Sequence, residues 1–531
     1  MDYMKIYNSW LENNYIDEKT KEELLLIKDD ESEIRERFYK NLEFGTGGLR
    51  GLMGAGTNRV NAYTIRKSAY GFARYILEKD FLEKCPKEMG VVIAYDSRNN
   101  SYSFSKEVAL VLVSQGIKTY IFEGMRSVPE LSFAIRHLGC VAGIAITASH
   151  NPKEYNGFKV YSEDGAQILP EEDKKISKYS KDIFDFSNLD VSLLNVLPKE
   201  QDEEYVNAVL ETMINPDALK EISITYTPLY GTGFWPVREI LYRAGFDKLN
   251  IVLEEAEENG NFPNLDSPNP EDFNVFKVAI KQAKAVNSDI IIATDPDSDR
   301  LGVMVRDKNG NYTHLNGNSI GVLMLEYIIT QKKEKGILPE NSFVVSTLVS
   351  TDMAKKIAET NGVRHEVVLT GFKNIAEKIK ENESEFVFGF EESYGYLHGR
   401  HVRDKDAISS ALLICEMVAF YKELGLTLLG QLDLLYKKYG YYKEETKSIT
   451  FKGFEGSEKI KSIMQNFKQS LDLQSDVLYY NIGDGFVCIR PSGTEPKLKI
   501  YFGTKGDSLE DASNKLDAMI EEVMSKINKW R

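Results

Sequence analysis

Cysteine is scarce: Cys85, Cys140, Cys415 and Cys488 are the only four in 531 residues, and no two form a CxxC pair. That excludes a disulfide scaffold and a cysteine zinc site, and it suits a reducing compartment. Long hydrophobic runs are missing too. The longest apolar stretch, Ala407 to Tyr421, is 15 residues and contains Ser409, Ser410 and Glu416. It is too short and too polar to span a bilayer. Positive charge is in deficit, with 66 Lys+Arg against 81 Asp+Glu and a net charge of −15. Such a surface repels nucleic acid and anionic membranes, so neither is expected as a partner. A small anionic substrate must then be held by a local cluster of Arg and Lys. No GxGxxG or P-loop nucleotide fingerprint occurs. The first residues, MDYMKIYNSW, lack a basic start followed by an apolar run, so no secretory signal is expected. What is present is an ordinary globular composition, 42% hydrophobic and 28% charged. At ~150 residues per domain the length predicts three or four domains of a soluble, cytoplasmic protein.

Residues 1–45 read as polar helices, with Glu, Lys and Leu at helical spacing from Lys21 to Ile34. From about residue 90 the rhythm changes. Short β-branched or apolar runs end in acidic or small-residue loops and are followed by helical stretches. Gly90–Arg98, Val141–Thr147, Ser288–Asp295 and Phe386–Glu392 are such units. Continuous apolar runs alternating with helices predict buried, largely parallel strands in α/β layers, with ligands at the carboxyl ends of the strands. The recurrence hints at a duplicated α/β unit. Boundaries are expected near Lys199–Glu204, Asp307–Asn311 and Gly440–Thr446. They divide the chain into 1–204, 205–310, 311–439 and 440–531. The last segment, with strands near 477–480, 485–489 and 497–502 before a closing helix, reads as α+β.

Four loops carry chemistry. In Thr147-Ala148-Ser149-His150-Asn151-Pro152, a serine on a strand-to-loop turn can project an activated hydroxyl, although the same residues also fit a plain turn or helix cap. Asp295-Pro296-Asp297-Ser298-Asp299-Arg300 places three carboxylates at alternate positions after a strand. Without a counter-ion they would repel one another, so a hard cation is favoured over a solvated turn. An EF-hand is excluded, because Arg300 and Arg306 stand where Gly and Glu are required. Gly389-Phe390-Glu391-Glu392-Ser393 can exchange hydrogen bonds with sugar hydroxyls, though an ordinary polar loop fits as well. Arg490-Pro491-Ser492-Gly493-Thr494-Glu495-Pro496-Lys497 offers amides, hydroxyls and charge for a phosphate, against a hairpin turn as the alternative. Two shorter loops, Phe44–Gly51 and Leu369–Lys373, fit plain turns on their own.

Together and in this order, the loops closely resemble those of the α-D-phosphohexomutase superfamily, and the N-terminal region and length resemble its phosphoglucomutase/phosphopentomutase branch. The likeness runs from about Phe44 to Phe502. It implies three related α/β domains with mixed sheets and a C-terminal α+β domain of the TATA-box-binding-protein-like type, around a central cleft. It also implies roles. Ser149 would carry the phosphoryl group, beside His150. Asp295, Asp297 and Asp299 would hold Mg²⁺ together with an oxygen on Ser149. Arg50 and Arg300 would contact the transferring phosphate, and Lys159 would lie near the reacting hydroxyl. Lys405 would be the branch's candidate general base, since Gly395 stands where other branches carry a His. Thr370, Gly371, Glu391 and Ser393 would bind sugar, and Arg490, Ser492, Gly493, Thr494 and Lys497 the idle phosphate. The implied reaction interconverts glucose 1-phosphate and glucose 6-phosphate through phosphoserine and glucose 1,6-bisphosphate, in a monomer or homodimer. Pentose or mannose phosphates are the alternative substrates. Two readings from other classes compete. A Mg²⁺ phosphatase with an Asp nucleophile leaves Ser149 and the Arg490 loop unexplained, and a non-catalytic sugar-phosphate sensor has no use for Ser149 with three aspartates.

Overall fold

The apolar runs at 90–98, 141–147, 288–295 and 386–392 each become a strand, and three of these strands end at a loop that carries chemistry. The computed structural model describes residues 2–45, 47–79, 85–180, 191–218, 220–451, 453–469, 477–491 and 497–530. The chain divides into two units. One comprises Met1–Met213, Lys220–His314 and Gly399–Cys415, the other Ile214–Leu219, Leu315–His398 and Glu416–Arg531.

The first unit contains two mixed sheets. Strands β1 (Gly48–Leu52), β2 (Val91–Tyr95), β3 (Thr119–Phe122), β4 (Ala142–Ile146), β5 (Tyr155–Ser162) and β6 (Leu194–Leu197) lie in the order β1-β5-β4-β2-β3-β6. β2 runs parallel to β3 and β4, while β5 is antiparallel to β4 and β1. Every residue of β2 and β4 is buried, as unbroken apolar runs require when both faces of a sheet are covered. Two apolar clusters flank this sheet, one on helices Ala62–Glu78 and Ser101–Ser114, the other on helix Val128–His137. That last helix starts where the sequence says it should. Ser127 and Glu130 form a reciprocal capping box, and Pro129 occupies the first turn, where a missing N–H is harmless.

The second sheet holds β7 (Ile224–Thr227), β8 (Leu249–Ile251), β9 (Ile290–Thr294), β10 (Leu301–Arg306) and β11 (Tyr312–Leu315), in the order β11-β10-β9-β7-β8. The loop Asp307–Asn311 joins β10 to β11 of this sheet. The charged stretch at Lys199–Glu204 leads into a helix, Glu200–Leu210. The N-terminal region forms helices Tyr3–Glu12, Glu18–Leu26 and Glu31–Phe38, N-capped by Asp2, Asp17 and Asp30. Their apolar stripes meet in a small core of Tyr7, Leu24, Ile34 and Phe38 with Ala55.

In the second unit β12 (Phe343–Thr347), β13 (Arg364–Val368), β14 (Phe386–Phe390) and β15 (Tyr396–His398) lie in the order β13-β12-β14-β15, with only β15 antiparallel. Strands β16 (Tyr441–Thr450), β17 (Leu478–Ile482), β18 (Gly485–Pro491) and β19 (Lys497–Gly506) form a wholly antiparallel sheet ordered β16-β19-β18-β17. Helices Gly453–Gln469 and Leu509–Trp530 share its core, the α+β pattern expected. The apolar stretch at 407–421 lies in helix Ala407–Glu423 and is mostly buried. Among the described residues no helix is long and apolar enough to cross a membrane.

Candidate active site

Ser149 follows β4 closely, and its backbone adopts the left-handed conformation, φ 53°. A non-glycine residue held there is strained, so surrounding bonds must fix it. They are present. Its N–H donates to Thr147 Oγ1 at 2.8 Å, and Thr147 Oγ1 lies 2.6 Å from Asp96 Oδ2. The guanidinium of Arg98, buried beneath the loop, donates to the carbonyls of Ser149 and Asn151, and also to those of Pro152 at 2.8 Å and Tyr155 at 3.2 Å. Arg98 is itself anchored by Asp96, whose carboxylate lies 3.2 Å from Nε. Burial pushes the Asp96 carboxyl up and the Arg98 guanidinium down, and the charge of each opposes the shift of the other.

The Ser149 hydroxyl is aimed at the acidic loop. Oγ lies 2.9 Å from Asp295 Oδ2 and 3.1 Å from His150 Nδ1. That loop leaves β9 as a tight turn, in which Asp295 Oδ1 accepts from the N–H groups of Asp299 and Arg300 at 3.1 and 3.0 Å. Ser298 is also left-handed, φ 56°, and its carbonyl accepts from Ala407 N–H at 3.1 Å. Gly231 backs the turn so closely that an added Cβ would stand 2.6 Å from Pro296 Cα, which is why no side chain fits there.

Asp295, Asp297 and Asp299 each present an oxygen within 4.8 Å of the other two, and all three are buried. Lys159 on β5 lies 2.7 Å from Asp297 and 3.1 Å from Asp299, and Lys405 lies 3.2 Å from Asp299. Burial and the two neighbouring carboxylates push the Asp295 carboxyl well above the usual range. Burial would raise Asp299 as well, but Lys159, Lys405 and Arg300 hold it below. Burial lowers Lys159, and Asp297 and Asp299 more than reverse this, so its ammonium is kept charged. Two buried oxygens, Asp297 Oδ1 and Asp299 Oδ1, have no hydrogen-bond partner. Unsatisfied buried carboxylate oxygens are costly, and a hard divalent cation would satisfy both. The donor set fits such an ion.

The arginines frame this centre. Arg50 on β1 donates to Asn151 Oδ1 at 2.8 Å. Arg300 is ion-paired with Glu271, and Ser267 on the same segment donates to the His150 carbonyl. In the second unit Glu391 Oε1 accepts from Gly371 N–H at 2.9 Å, which brings Glu391 to the Thr370–Gly371 turn. Ser393 lies on the same loop, whose Tyr394 is left-handed, φ 67°. Arg490 and Lys497 sit at one end of the paired strands β18 and β19. Ser492, Gly493 and Thr494 lie outside the described residues.

The structure thus gathers Ser149, His150, Arg50, Lys159, the three aspartates, Arg300 and Lys405 in the first unit. Within the second it brings together Thr370, Gly371, Glu391 and Ser393. Sequence reasoning assigned no role to Asp96, Arg98, Ser267 or Glu271. The first two had a signal, since Tyr95-Asp96-Ser97-Arg98 ends a buried strand just as the metal loop does. Glu271 and Ser267 had none, because only the fold brings them to Arg300 and His150.

Sequence models of the phosphoglucomutase/phosphomannomutase domains match the chain four times: α/β/α domain I over residues 41–185, domain II over 203–310, domain III over 316–439 and the C-terminal domain over 453–522. A phosphoglucomutase of Staphylococcus aureus (strain MRSA252) is 36% identical over 529 residues, covering 92% of this chain and 94% of the relative. Two solved structures share the fold. One is a phosphoglucomutase/phosphomannomutase family protein from Burkholderia thailandensis, with a TM-score of 0.67 and 18% identity, covering 91% of this chain and 96% of its own. The other is the phosphoglucomutase parafusin from Paramecium in an open form, with a TM-score of 0.67 and 16% identity, covering 93% and 96%.

Proposed function

The chain belongs to the phosphoglucomutase/phosphomannomutase family, and from that premise we propose that it interconverts glucose 1-phosphate and glucose 6-phosphate through phosphoserine at Ser149. The observation that carries this reading is the Ser149 hydroxyl, 2.9 Å from a carboxylate of the buried Asp triad. A lone serine near a lone aspartate would make a hydrogen bond only. A serine against three converging carboxylates, two lysines and two arginines is placed to carry and release a phosphoryl group.

Phosphoryl transfer asks for in-line positioning and charge neutralisation more than for covalent chemistry from the protein. Asp295, Asp297 and Asp299 would hold Mg²⁺, which when bound supplies positive charge to the phosphoryl oxygens. Arg50 and Arg300 would flank the same oxygens, with Glu271 holding Arg300 until phosphate competes for it. Lys159, kept as an ammonium by Asp297 and Asp299, neutralises charge and is ill suited to accept a proton. Lys405, the position the family resemblance offers as general base, also lies against carboxylates, Asp404 at 2.9 Å and Asp299 at 3.2 Å; in its neutral form it is the group we assign to take the proton of the attacking sugar hydroxyl. His150 Nδ1, 3.1 Å from Ser149 Oγ, would orient the serine oxygen as it leaves. In the first half-reaction the Ser149 Oγ–P bond breaks, a sugar O–P bond forms and the hydroxyl proton passes to Lys405, giving glucose 1,6-bisphosphate. In the second the other phosphoryl returns to Ser149 Oγ and the proton returns to the released sugar hydroxyl. Glu391, Ser393, Thr370 and Gly371 would hold the sugar, and Arg490, Ser492, Gly493, Thr494 and Lys497 the idle phosphate. The substrate is a small sugar phosphate in the cytoplasm, and the acidic surface speaks against a nucleic-acid or membrane partner.

The test is phosphorus NMR with Mg²⁺ and glucose 1,6-bisphosphate, offering glucose 1-, mannose 1- and ribose 1-phosphates separately. Conversion of glucose 1-phosphate to the 6-phosphate, with acid-stable phosphate on Ser149, is expected. Faster turnover of the pentose or mannose phosphate would move the assignment within the family. Inorganic phosphate release with a labile acyl phosphate on Asp295 would overturn it.

A further inference from the structure

A second concave site lies in the first unit, away from the acidic loop. Helix Tyr3–Glu12, through Trp10, the segment leading into β1, and helices Ala62–Glu78 and Pro170–Tyr179 line an open cavity of about 540 Å³. Small-molecule sites typically occupy ~300–1,000 Å³, so the size suits a metabolite rather than a trapped ion. None of its lining residues takes part in the reaction proposed above.

Its lining mixes two chemistries. Trp10, Phe44 and Tyr63 supply aromatic rings, while Lys67, Lys174 and Lys178, all exposed to solvent, supply cations. Glu43 is the single carboxylate among the described lining residues. On a chain of net charge −15, three amines against one carboxylate reverse the local sign. The Ser177 hydroxyl lines the same cavity and can act as a further donor, while those of Ser68 and Ser180 donate to the Thr64 and Ile176 carbonyls at 2.8 and 3.0 Å and offer lone pairs only. Cations and hydroxyls select a phosphate, and an aromatic wall selects a planar or apolar body. Inorganic phosphate would leave the aromatic side uncovered, and a sugar phosphate would set hydroxyls against it. We propose that this cavity binds an organic phosphate with a planar body, of the nucleoside monophosphate class.

The cavity is also tied to the catalytic strands. Phe44 packs edge-on against Phe158, with ring centroids 5.8 Å apart, and Phe158 immediately precedes Lys159. Asp173, beside Lys174, accepts from Gly47 N–H at 2.7 Å, and the Gly47 carbonyl accepts from Val160 N–H at 3.0 Å. Phe44 thus packs on β5, and the helix that carries Lys174 is hydrogen-bonded, through Asp173, to the residue that precedes β1; these strands carry Lys159 and Arg50.

Trp10 is one of three tryptophans, so Trp235→Phe with Trp530→Phe leaves it as the sole reporter inside the cavity. Adenosine monophosphate titrated into that variant should change Trp10 emission saturably. Adenosine and inorganic phosphate should each bind at least about ten-fold more weakly, because each satisfies one wall only. Added salt should weaken binding by screening the lysines. Lys174→Glu with Lys178→Glu, both on the surface of their helix, should weaken it about ten-fold or more with an unchanged melting temperature. Ser177→Phe, which fills the cavity, should abolish it. No saturable change at millimolar adenosine monophosphate, equal affinity for inorganic phosphate or for adenosine, or binding undiminished in the Lys174/Lys178 variant would each overturn the proposal. Because binding is read without turnover, the result stands apart from the mutase reading.

Discussion

Arg98 offers the sharpest test of how Ser149, the proposed phosphoryl carrier, is held. Its buried guanidinium donates to four carbonyls of the 149–155 loop and pairs with Asp96. A hydrogen bond from a charged donor contributes about 1.5–3 kcal/mol, and a buried ion-pair partner left alone costs about 3–5 kcal/mol. Arg98→Met would therefore remove on the order of 5 kcal/mol or more, comparable to the whole stability of a domain, and that variant is expected to unfold. Arg98→Lys is the informative change. It keeps the charge beside Asp96 but has no planar fork, so it can reach one or two of the four carbonyls. Losing two charge-assisted bonds should lower stability by roughly 3–6 kcal/mol, read as the urea midpoint at constant slope. The folded fraction should still bind sugar phosphate, because Arg98 lies beneath the loop. Displacing the Ser149 oxygen by about 1 Å, however, costs about a hundred-fold in rate. The expected outcome is a kcat reduced about a hundred-fold at nearly unchanged KM, with slower phosphate loading of Ser149. A folded Arg98→Lys enzyme with wild-type kcat would refute the claim that this guanidinium positions the serine.

Ser149→Ala should abolish steady turnover without lowering the melting temperature, since the hydroxyl ends a loop rather than filling the core; turnover retained in that variant would rule out phosphoserine. Asp297→Asn should weaken Mg²⁺ binding measured by calorimetry at least about ten-fold, because a neutral amide replaces an anionic oxygen; unchanged affinity would place the ion elsewhere. Arg490→Ala should raise KM about ten- to a hundred-fold for both the 1-phosphate and the 6-phosphate if each in turn rests on that arginine; an effect in one direction only would contradict a flipping intermediate. Glu255 is buried beside the Thr227 hydroxyl, and burial pushes its carboxyl from 4.5 up to about 7. A raised folded value stabilises the protonated form. Its contribution is therefore complete below about pH 4.5 and is lost as pH rises towards and through 7, roughly 3 kcal/mol in all. Glu255→Gln should flatten the fall of the urea midpoint between pH 5 and 8, and an unaltered slope would show that this carboxyl does not titrate as argued.

The strands were legible because buried parallel sheets need unbroken apolar runs, and Val91–Tyr95, Ala142–Ile146, Ile290–Thr294 and Phe386–Phe390 are such runs. The loops at their ends were legible because three carboxylates, or a serine with asparagine and proline, have few reasons to sit at the end of a buried strand. What stayed hidden depends on distance along the chain. Arg98 clamps carbonyls 51 to 57 positions away, and Lys405 reaches Asp299 from a different sheet-forming region. No local pattern announces such partners. The turn at Asp307–Asn311 was ambiguous for a different reason, since its residues fit a linker and a hairpin equally and only strand pairing decides.

One regularity runs through all three described functional loops. Ser149, Ser298 and Tyr394 each carry a side chain in the left-handed region that favours glycine. Such a conformation costs about 1–3 kcal/mol and persists only where neighbours over-determine it. At Ser149 the neighbours are Arg98 and Thr147; at Ser298 they are Asp295, Thr232 and the Ala407 amide; at Tyr394 the loop is closed by Glu391 N–H on the Gly395 carbonyl at 2.9 Å. Glycine would relieve the strain, but at Ser149 it would also remove the hydroxyl proposed to carry the phosphoryl group. At Ser298 it would remove a hydroxyl 3.0 Å from Thr232, and at Tyr394 a buried ring. The strained backbone is thus retained because the side chain is needed in a direction that only this conformation allows. A Ser298→Gly enzyme should accordingly gain local backbone ease yet lose Mg²⁺ affinity. If it instead bound Mg²⁺ as tightly and melted higher, Ser298 would be no more than a poor choice of turn residue.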